Sequence, residues 1–401
     1  MSIIPKTFVL LHTKIKKCKV LSVTATERHC HTIMRRNIMK IFDRLRLVKR
    51  RQWVLIALLV TVTLFRTVPS WGWFYTLHIY PIIGTLLSPI SGVFPFAIGD
   101  LFIAGSIAWC ILYPIYKKRW SALYRVAEYL LWVYAWFYLA WGLNYSQPNL
   151  YVRIGMSPVE VSKTKFKDFA YRYADSLNYY CKPQRVKGEI SNNPTGIDDK
   201  FKKKTADEIL QGYKLLETGK KPYIGINAPF NNHPHVKTMV FSRLSSMAGV
   251  TGSMGPFFCE FTLNGEVRPH DYPSTYAHEF AHFLGIANEG EANFYSYVVC
   301  TSSADRFVRF SGYYHIFFHV LANVYDILGE KEGEKYLKHI RPEIIQLARS
   351  DRQYWLSKRC KALDDAQDFI FDLYLRGNHV AEGRKSYSGV IGLIMAWEEY
   401  A

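Results

Sequence analysis

Uninterrupted apolar runs in the first part of the chain give way near residue 147 to mixed polar and apolar positions. The first charge-free run, Trp53 to Phe65, reaches Val68 when Arg66 snorkels and predicts a spanning helix over 53–68. A second span is predicted over 98–116, closed by Lys117-Lys118-Arg119, and a third over 124–143, rich in Trp and Tyr as membrane-interface belts are. Between the first two, Trp71 to Phe96 is apolar but broken by Pro81, Pro89 and Pro95, and is expected to be an extracytoplasmic interfacial or re-entrant segment. Asp100 and Glu128 fall near the ends of their spans, where a solvated or paired role is expected.

From Gln147 onward no stretch is apolar for the length a bilayer needs, so 147–401 is expected to be one globular unit with a sizeable core. Pro158 to Tyr180 and Thr205 to Thr218 have helical periodicity, and Pro183 to Lys204 reads as a polar connection between them. Phe257 to Leu263 (FFCEFTL) is a β-rich run followed by Asn264-Gly265, the dipeptide favoured in two-residue hairpin turns, and predicts a strand and hairpin. The expected class is α+β: an N-terminal three-helix transmembrane region over 52–146, then a mainly helical domain with a small antiparallel sheet.

Charge fixes the expected orientation. The formal net charge of +18 would suggest nucleic acid, but Met1 to Arg51 holds fourteen Lys and Arg against only Glu27 and Asp43, directly before an apolar run. The positive-inside rule therefore places residues 1–51 and the 117–119 loop in the cytoplasm and everything after Asn144 outside. The lipid bilayer, not nucleic acid, is the expected partner. Residues before Met39 form an unpatterned basic extension, and Met39 is the more ordinary start. A cleaved signal peptide is not expected, since Arg66-Thr67-Val68-Pro69 follows the first run instead of a small-residue cleavage site. A hydrophobic content of 49% with 16% aromatics excludes intrinsic disorder and a small disulfide-stapled scaffold. The seven cysteines show no C-x-x-C pair; Cys181, Cys259, Cys300 and Cys360 are open to bridging or to being buried thiols.

The chemistry concentrates in residues 276–293, YAHEFAHFLGIANEGEAN. His278-Glu279-Phe280-Ala281-His282 is an H-E-x-x-H motif. On a helix its two histidines share a face and can present two imidazole nitrogens to one Zn²⁺, with Glu279 beside them as the general base. Asp271 or Ser274 is expected to cap this helix, Pro273 suits its first turn, and Gly285 suits its stop. A third ligand is required, with the fourth position left for water or substrate. Glu289 and Glu291 are the candidates, at the start of a second helical pattern, EGEANFYSYVV. Glu289-x-x-Ala292-Asn293 resembles the E-x-x-[AS]-[DN] signature of gluzincin peptidases, which implies Glu289 as ligand and Asn293 as the partner of a zinc-binding histidine, expected to be His278. Glu291 remains a rival. Glu289 follows His282 by only seven residues, a shorter gap than gluzincins show. The spacing is closer to metzincins, but the position of their third histidine is Asn288.

Other candidates fall outside the core site. His315 and His319 (HIFFH) lack a Glu beside the first His and are expected to pack within a helix pattern. Tyr313 and Tyr314 are expected on a buried face, and His233 and His235 in a solvated polar loop. No Walker A, G-x-G-x-x-G or G-x-S-x-G motif is present, so nucleotide-dependent and serine-hydrolase mechanisms lack their parts.

FPFAIGD (Phe94 to Asp100), WGLNY (Trp141 to Tyr145) and the block from His278 to Phe294 together resemble the bacterial membrane family catalogued as domain of unknown function 3810, over roughly residues 39–400. One departure is Phe283, where the family usually carries Gln. The resemblance implies the membrane topology, a bacterial inner-membrane location and a zincin-like core, and no activity. The function expected from the residues is a membrane-anchored, zinc-dependent metallopeptidase hydrolysing peptide bonds on the extracytoplasmic side, with Phe257 to Leu263 as the edge strand that pairs with substrate. The alternative is a non-catalytic zincin-fold module that binds an envelope protein or cell-wall peptide. A transporter is disfavoured by the large soluble half.

Overall fold

The computed structural model describes residues 49–182, 197–218, 236–378 and 389–400. The chain divides into two units, Met1–Leu58 and Leu59–Ala401, and the second holds the sheet and every candidate site residue. Most of the basic extension, Met39, and the pair His233 and His235 lie outside the described residues.

From Arg50 to Ala140 the described residues are mainly helical: α1 (Arg50–Thr67), α2 (Pro69–Phe74), a π-helical turn (Tyr75–Ile79), α3 (Tyr80–Gly92), α4 (Ile98–Lys117) and α5 (Trp120–Ala140). Three helices thus cover the three expected spans, but the expectation of three membrane helices needs correction. Among the described residues only α4 is by itself long and apolar enough to cross a bilayer. α1 carries Arg50, Arg51 and Arg66, and meets the requirement only jointly with Ser70–Gly92, as a bent pair that is either a broken span or a re-entrant loop. α5 contains Arg125, Glu128 and many Trp and Tyr, whose polar tips lower its hydropathy.

α4 and α5 are antiparallel neighbours, as the two-residue link Lys118-Arg119 requires. Ser106 Oγ meets Tyr129 OH at 2.6 Å, and Arg125 donates to Tyr113 OH at 3.2 Å. Ile98 and Ala140 therefore lie at the same end of the pair, where Trp136 Nε1 donates to the carbonyl of Phe257 at 3.0 Å.

The remainder begins with a 3₁₀ turn (Gly142–Ser146) and continues through α6 (Leu150–Ile154), α7 (Lys163–Tyr180), α8 (Asp199–Thr218), β1 (Lys237–Thr238), α9 (Ser242–Met247), β2 (Gly252–Gly255) and β3 (Glu260–Leu263). Then come α10 (Tyr272–Phe283), α11 (Glu289–Ser302), α12 (Arg306–Asn323), a π-helical turn (Val324–Leu328), α13 (Glu330–His339), α14 (Pro342–Lys358), α15 (Lys361–Gly377) and α16 (Val390–Tyr400). Side-chain caps set several starts: Asn149, Ser162, Asn288 and Asp305 each accept from a backbone N–H of the following turn. Among the described residues the fold is mainly helical with one small sheet.

That sheet is mixed rather than antiparallel. Its order is β1-β3-β2, with β1 parallel to β3 and β2 antiparallel to it. The predicted strand forms, but its hairpin precedes it, turning through Pro256–Cys259 with Cys259 in the left-handed region at φ 48°. Asn264 does not turn the chain into a hairpin because its side chain is buried and spent on bracing: Nδ2 donates to Ser246 Oγ and to the carbonyls of Ser242 and Val250. Among the described residues β3 is consequently the central strand, and β1 and β2 are the edges.

The sheet is fastened to the start of α4. Glu260 Oε1 accepts from Gly99 N–H at 2.6 Å, one of the donors a helix N-terminus leaves free, and Glu260 Oε2 pairs with Lys237 Nζ at 2.6 Å. Asp100, the carboxylate expected near a span end, accepts from Val240 N–H at 2.8 Å. Behind the sheet, α10 is buried almost throughout, with Phe261 of β3 against Tyr276, Phe280 and Phe283. Among the described residues the cysteines are free thiols, Cys181, Cys259 and Cys300 buried.

Candidate metal centre

Helical periodicity brings His278 and His282 to one side of α10, and the next turn of chain brings in the third group. Gly285, at φ 96°, ends the helix in the left-handed region that glycine tolerates. The chain reverses over three residues, and Asn288 Oδ1 caps α11 by accepting from Glu291 N–H at 3.0 Å. Glu289 is thereby fixed in the first turn of α11, facing α10. Its Oε2 lies 3.2 Å from His278 Nε2 and 3.3 Å from His282 Nε2, and the two imidazole nitrogens are 3.1 Å apart.

The outer nitrogens of both rings are held. His282 Nδ1 meets the Ile286 carbonyl at 2.6 Å, and His278 Nδ1 meets Asn293 Oδ1 at 2.8 Å. Because both partners accept, each Nδ1 carries a proton, so each ring in its neutral form presents the Nε2 lone pair. Two lone pairs and a carboxylate oxygen converging within 3.3 Å repel one another unless a cation lies among them. A tetrahedral zinc site with bonds of about 2.0–2.1 Å has ligand-to-ligand edges of about 3.3 Å, so this donor set fits Zn²⁺.

Electrostatics show the same demand for positive charge at this point. Burial opposes charge on His282, but the adjoining Glu289 carboxylate outweighs it and lifts the ring to about 9. Burial likewise opposes the Glu289 charge, yet His282 and His278 hold its carboxyl well below the usual carboxylate range. Glu279 is buried and raised, chiefly by desolvation, with the two histidines pulling against the shift.

Glu291, two positions along α11, faces elsewhere. Its Oε2 pairs with Arg153 Nη2 at 2.6 Å and its Oε1 accepts from Leu150 N–H at 2.7 Å. Glu291 thus anchors α6 to α11 and does not approach the histidines. Asn293 accepts from His315 Nε2 at 2.9 Å as well as from His278. His315 and His319, expected to pack within a helix, instead line the cleft beside the cluster; burial keeps His315 neutral, down to about 3. No Glu adjoins them, so the motif does not reach them. Their i, i+4 spacing is the available signal, and only the packing of α12 against α11 shows which way it faces. Tyr313 and Tyr314 are not among the cleft-lining residues.

The cluster lies in a cleft of about 1030 Å³. Ala248 to Met254, with most of β2, form one wall, Phe137 of α5 and Trp141 just beyond it another, and Asp364, Gln367, Asp368 and Phe371 of α15 a third. Gly252 of β2 sits directly against Glu279, since a Cβ there would lie 2.4 Å from Glu279 Oε1.

A second group, His270, Asp271 and Asp351, also gathers ligand atoms within 4.8 Å. Here Asp351 is already committed: it pairs with the fully buried Arg268, accepts from Tyr314, and lies 2.9 Å from His270 Nε2. It reads as a buried network joining α14 to α12 and to the segment leading into α10.

Residues 75–395 match the family described as Protein of unknown function (DUF3810). The chain belongs to that family. No curated protein and no solved structure matches it. The DUF3810 match begins at the π-helical turn after α2 and ends within α16, so it takes in α4, α5, the sheet and every residue of the cluster.

Proposed function

We propose that this DUF3810 protein is a membrane-anchored, zinc-dependent metallopeptidase. The observation that carries the reading is the convergence of His278 Nε2, His282 Nε2 and Glu289 Oε2 at 3.1–3.3 Å beside Glu279 in an open cleft. These three side chains would hold Zn²⁺, which when bound acidifies a water and polarises a carbonyl. Glu279 receives the proton of the attacking water on its carboxylate and returns it to the leaving amine. Its raised affinity for protons, from burial, suits a group that must hold one between those two events. Asn293 and Ile286 keep both rings in the ligand tautomer. Among the described residues β2 is an edge strand and offers its outer side to an extended peptide, replacing β3 in the role first expected of it.

Anchoring rests on α4. Only 6% of its most apolar window is buried inside the protein, which distinguishes it from the core helix of a water-soluble fold. Lys117-Lys118-Arg119 lies at the end remote from the sheet, so the positive-inside rule puts that end in the cytoplasm and the zinc cluster outside it. α5 then returns alongside α4 through the same thickness, its polar tips bonded to its neighbour. A bacterial inner membrane suits this arrangement.

The test is metal content and peptide hydrolysis by the purified full chain and by Glu279→Gln. Equimolar zinc in both, with hydrolysis of a peptide pool only by the wild type, is the expected result. Zinc without cleavage by either would favour the non-catalytic binding module, and no zinc would defeat the metallopeptidase reading.

A further inference from the structure

α15 exposes apolar side chains along one side of its middle turns. Asp364, Gln367 and Asp368 face the cleft, whereas Phe369, Ile370 and Leu373 face outward with exposures of 66%, 61% and 55%. A helix on the surface of a water-soluble domain turns its apolar stripe inward and its charges out. This one exposes Phe369, Ile370 and Leu373 along one side of its middle turns, while Leu375 near its C-terminus is buried and Arg376 is exposed.

Its position supplies the reason. The C-terminal end of α15 is tied to the membrane helices: Arg66 Nη2 donates to the Gly377 carbonyl at 2.5 Å, Arg66 Nη1 to Tyr134 OH at 2.9 Å, and Tyr138 OH to Asn378 Oδ1 at 2.7 Å. Tyr134 and Tyr138 belong to the last two turns of α5, the end that lies beside the start of α4. That is the level at which α4 and α5 leave the apolar layer on the side of the zinc cluster. The C-terminal end of α15 therefore sits where the headgroup region would be. On α5, Leu130 and Leu131, one turn or two before Tyr134 and Tyr138 on the same side of the helix, are also exposed.

We infer that α15 is an interfacial helix whose Phe369, Ile370 and Leu373 are seated in the bilayer surface, making the lipid itself the outer support of the cleft wall. The inference rests on the proposed anchoring and deepens it. Because the same helix lines the cleft with Asp364, Gln367, Asp368 and Phe371, the cleft opens at the membrane surface. Polypeptide held close to the bilayer reaches it more readily than a freely diffusing peptide does.

The experiment uses the full chain reconstituted into phosphatidylethanolamine and phosphatidylglycerol vesicles, with the photoreactive residue p-benzoylphenylalanine placed singly at Phe369, at Ile107 on the exposed face of α4, or at Gln367 on the cleft wall. Mass spectrometry reads lipid adducts after illumination. Adducts at 369 and 107, with 367 at background, are expected. Adducts at 107 combined with none at 369, or with 369 captured only by protein, overturn the inference and leave the anchoring intact; a second copy of the chain or another partner would then cover this face. Absence at both positions overturns the inference together with the anchoring. Since the readout needs no catalysis, the zinc content of the same preparations judges the metallopeptidase reading separately.

Discussion

Removing the Glu291 carboxylate separates the two glutamates of α11 most cleanly. Glu291 and Arg153 form a buried pair, with side-chain exposures of 6% and 1%. In Glu291→Ala the Arg153 guanidinium stays buried without its counter-charge, and the backbone N–H of Leu150 loses its acceptor. Breaking one partner of such a pair costs roughly 3–5 kcal/mol, which for a unit of this size lowers the thermal midpoint by roughly 6–20 °C. Zinc binding should be untouched. Glu289→Ala should behave in the opposite way, losing zinc at equal protein concentration while its metal-free midpoint moves far less. Replacing both members of the pair, as Arg153→Met with Glu291→Leu, should recover most of the stability, because no unpaired charge is left inside. The assay is thermal unfolding in detergent alongside metal analysis of each variant. A Glu291→Ala protein that unfolds at the wild-type temperature but has lost its zinc would refute the assignment of the two roles.

Gly252→Ala places a methyl 2.4 Å from Glu279 Oε1 and 2.5 Å from its Cγ, so the carboxylate must move; peptide hydrolysis should fall by about 10²–10⁴, the contribution of a general base, with zinc retained. Asn293→Ala frees the His278 ring and should weaken zinc binding roughly 10–100-fold in competition with a chromophoric chelator. Asp351 is opposed by burial, but His270, Arg268 and Tyr314 outweigh it and depress its pKa. The stability this lends is complete above the unfolded aspartate value of about 3.9 and is lost as pH falls through the lower folded value. The stability gap between wild type and Asp351→Asn in denaturant titrations should therefore be widest above that pH and narrow below it; a gap that widens on acidification would contradict the assignment.

Local periodicity carries some of this arrangement and tertiary packing the rest. That His278 and His282 share a face follows from their spacing, and the break at Gly285 follows from the need for a residue at positive φ. Glu289 and Glu291 are both acidic, both in the first turn of α11, and point in different directions because they are two positions apart on a helix. Which of them faces α10 depends on the reversal through Ile286 to Asn288, beyond what the motif encodes. The hairpin departs from expectation for a similar reason. Asn264-Gly265 has the composition of a tight turn, but Asn264 is consumed by three buried hydrogen bonds, while the actual turn runs through Cys259, a residue that no propensity marks for the left-handed region. The three apolar runs do become helices; apolar content alone does not distinguish α4 from α5, whose Trp, Tyr, Arg125 and Glu128 make it a less apolar helix.

The most direct test of the account is zinc K-edge absorption on the purified full chain. One zinc per chain, bound by two imidazoles and oxygen at about 2.0–2.1 Å, is what the cluster predicts. A chain that binds no zinc, or zinc whose scattering lacks imidazole, would contradict it.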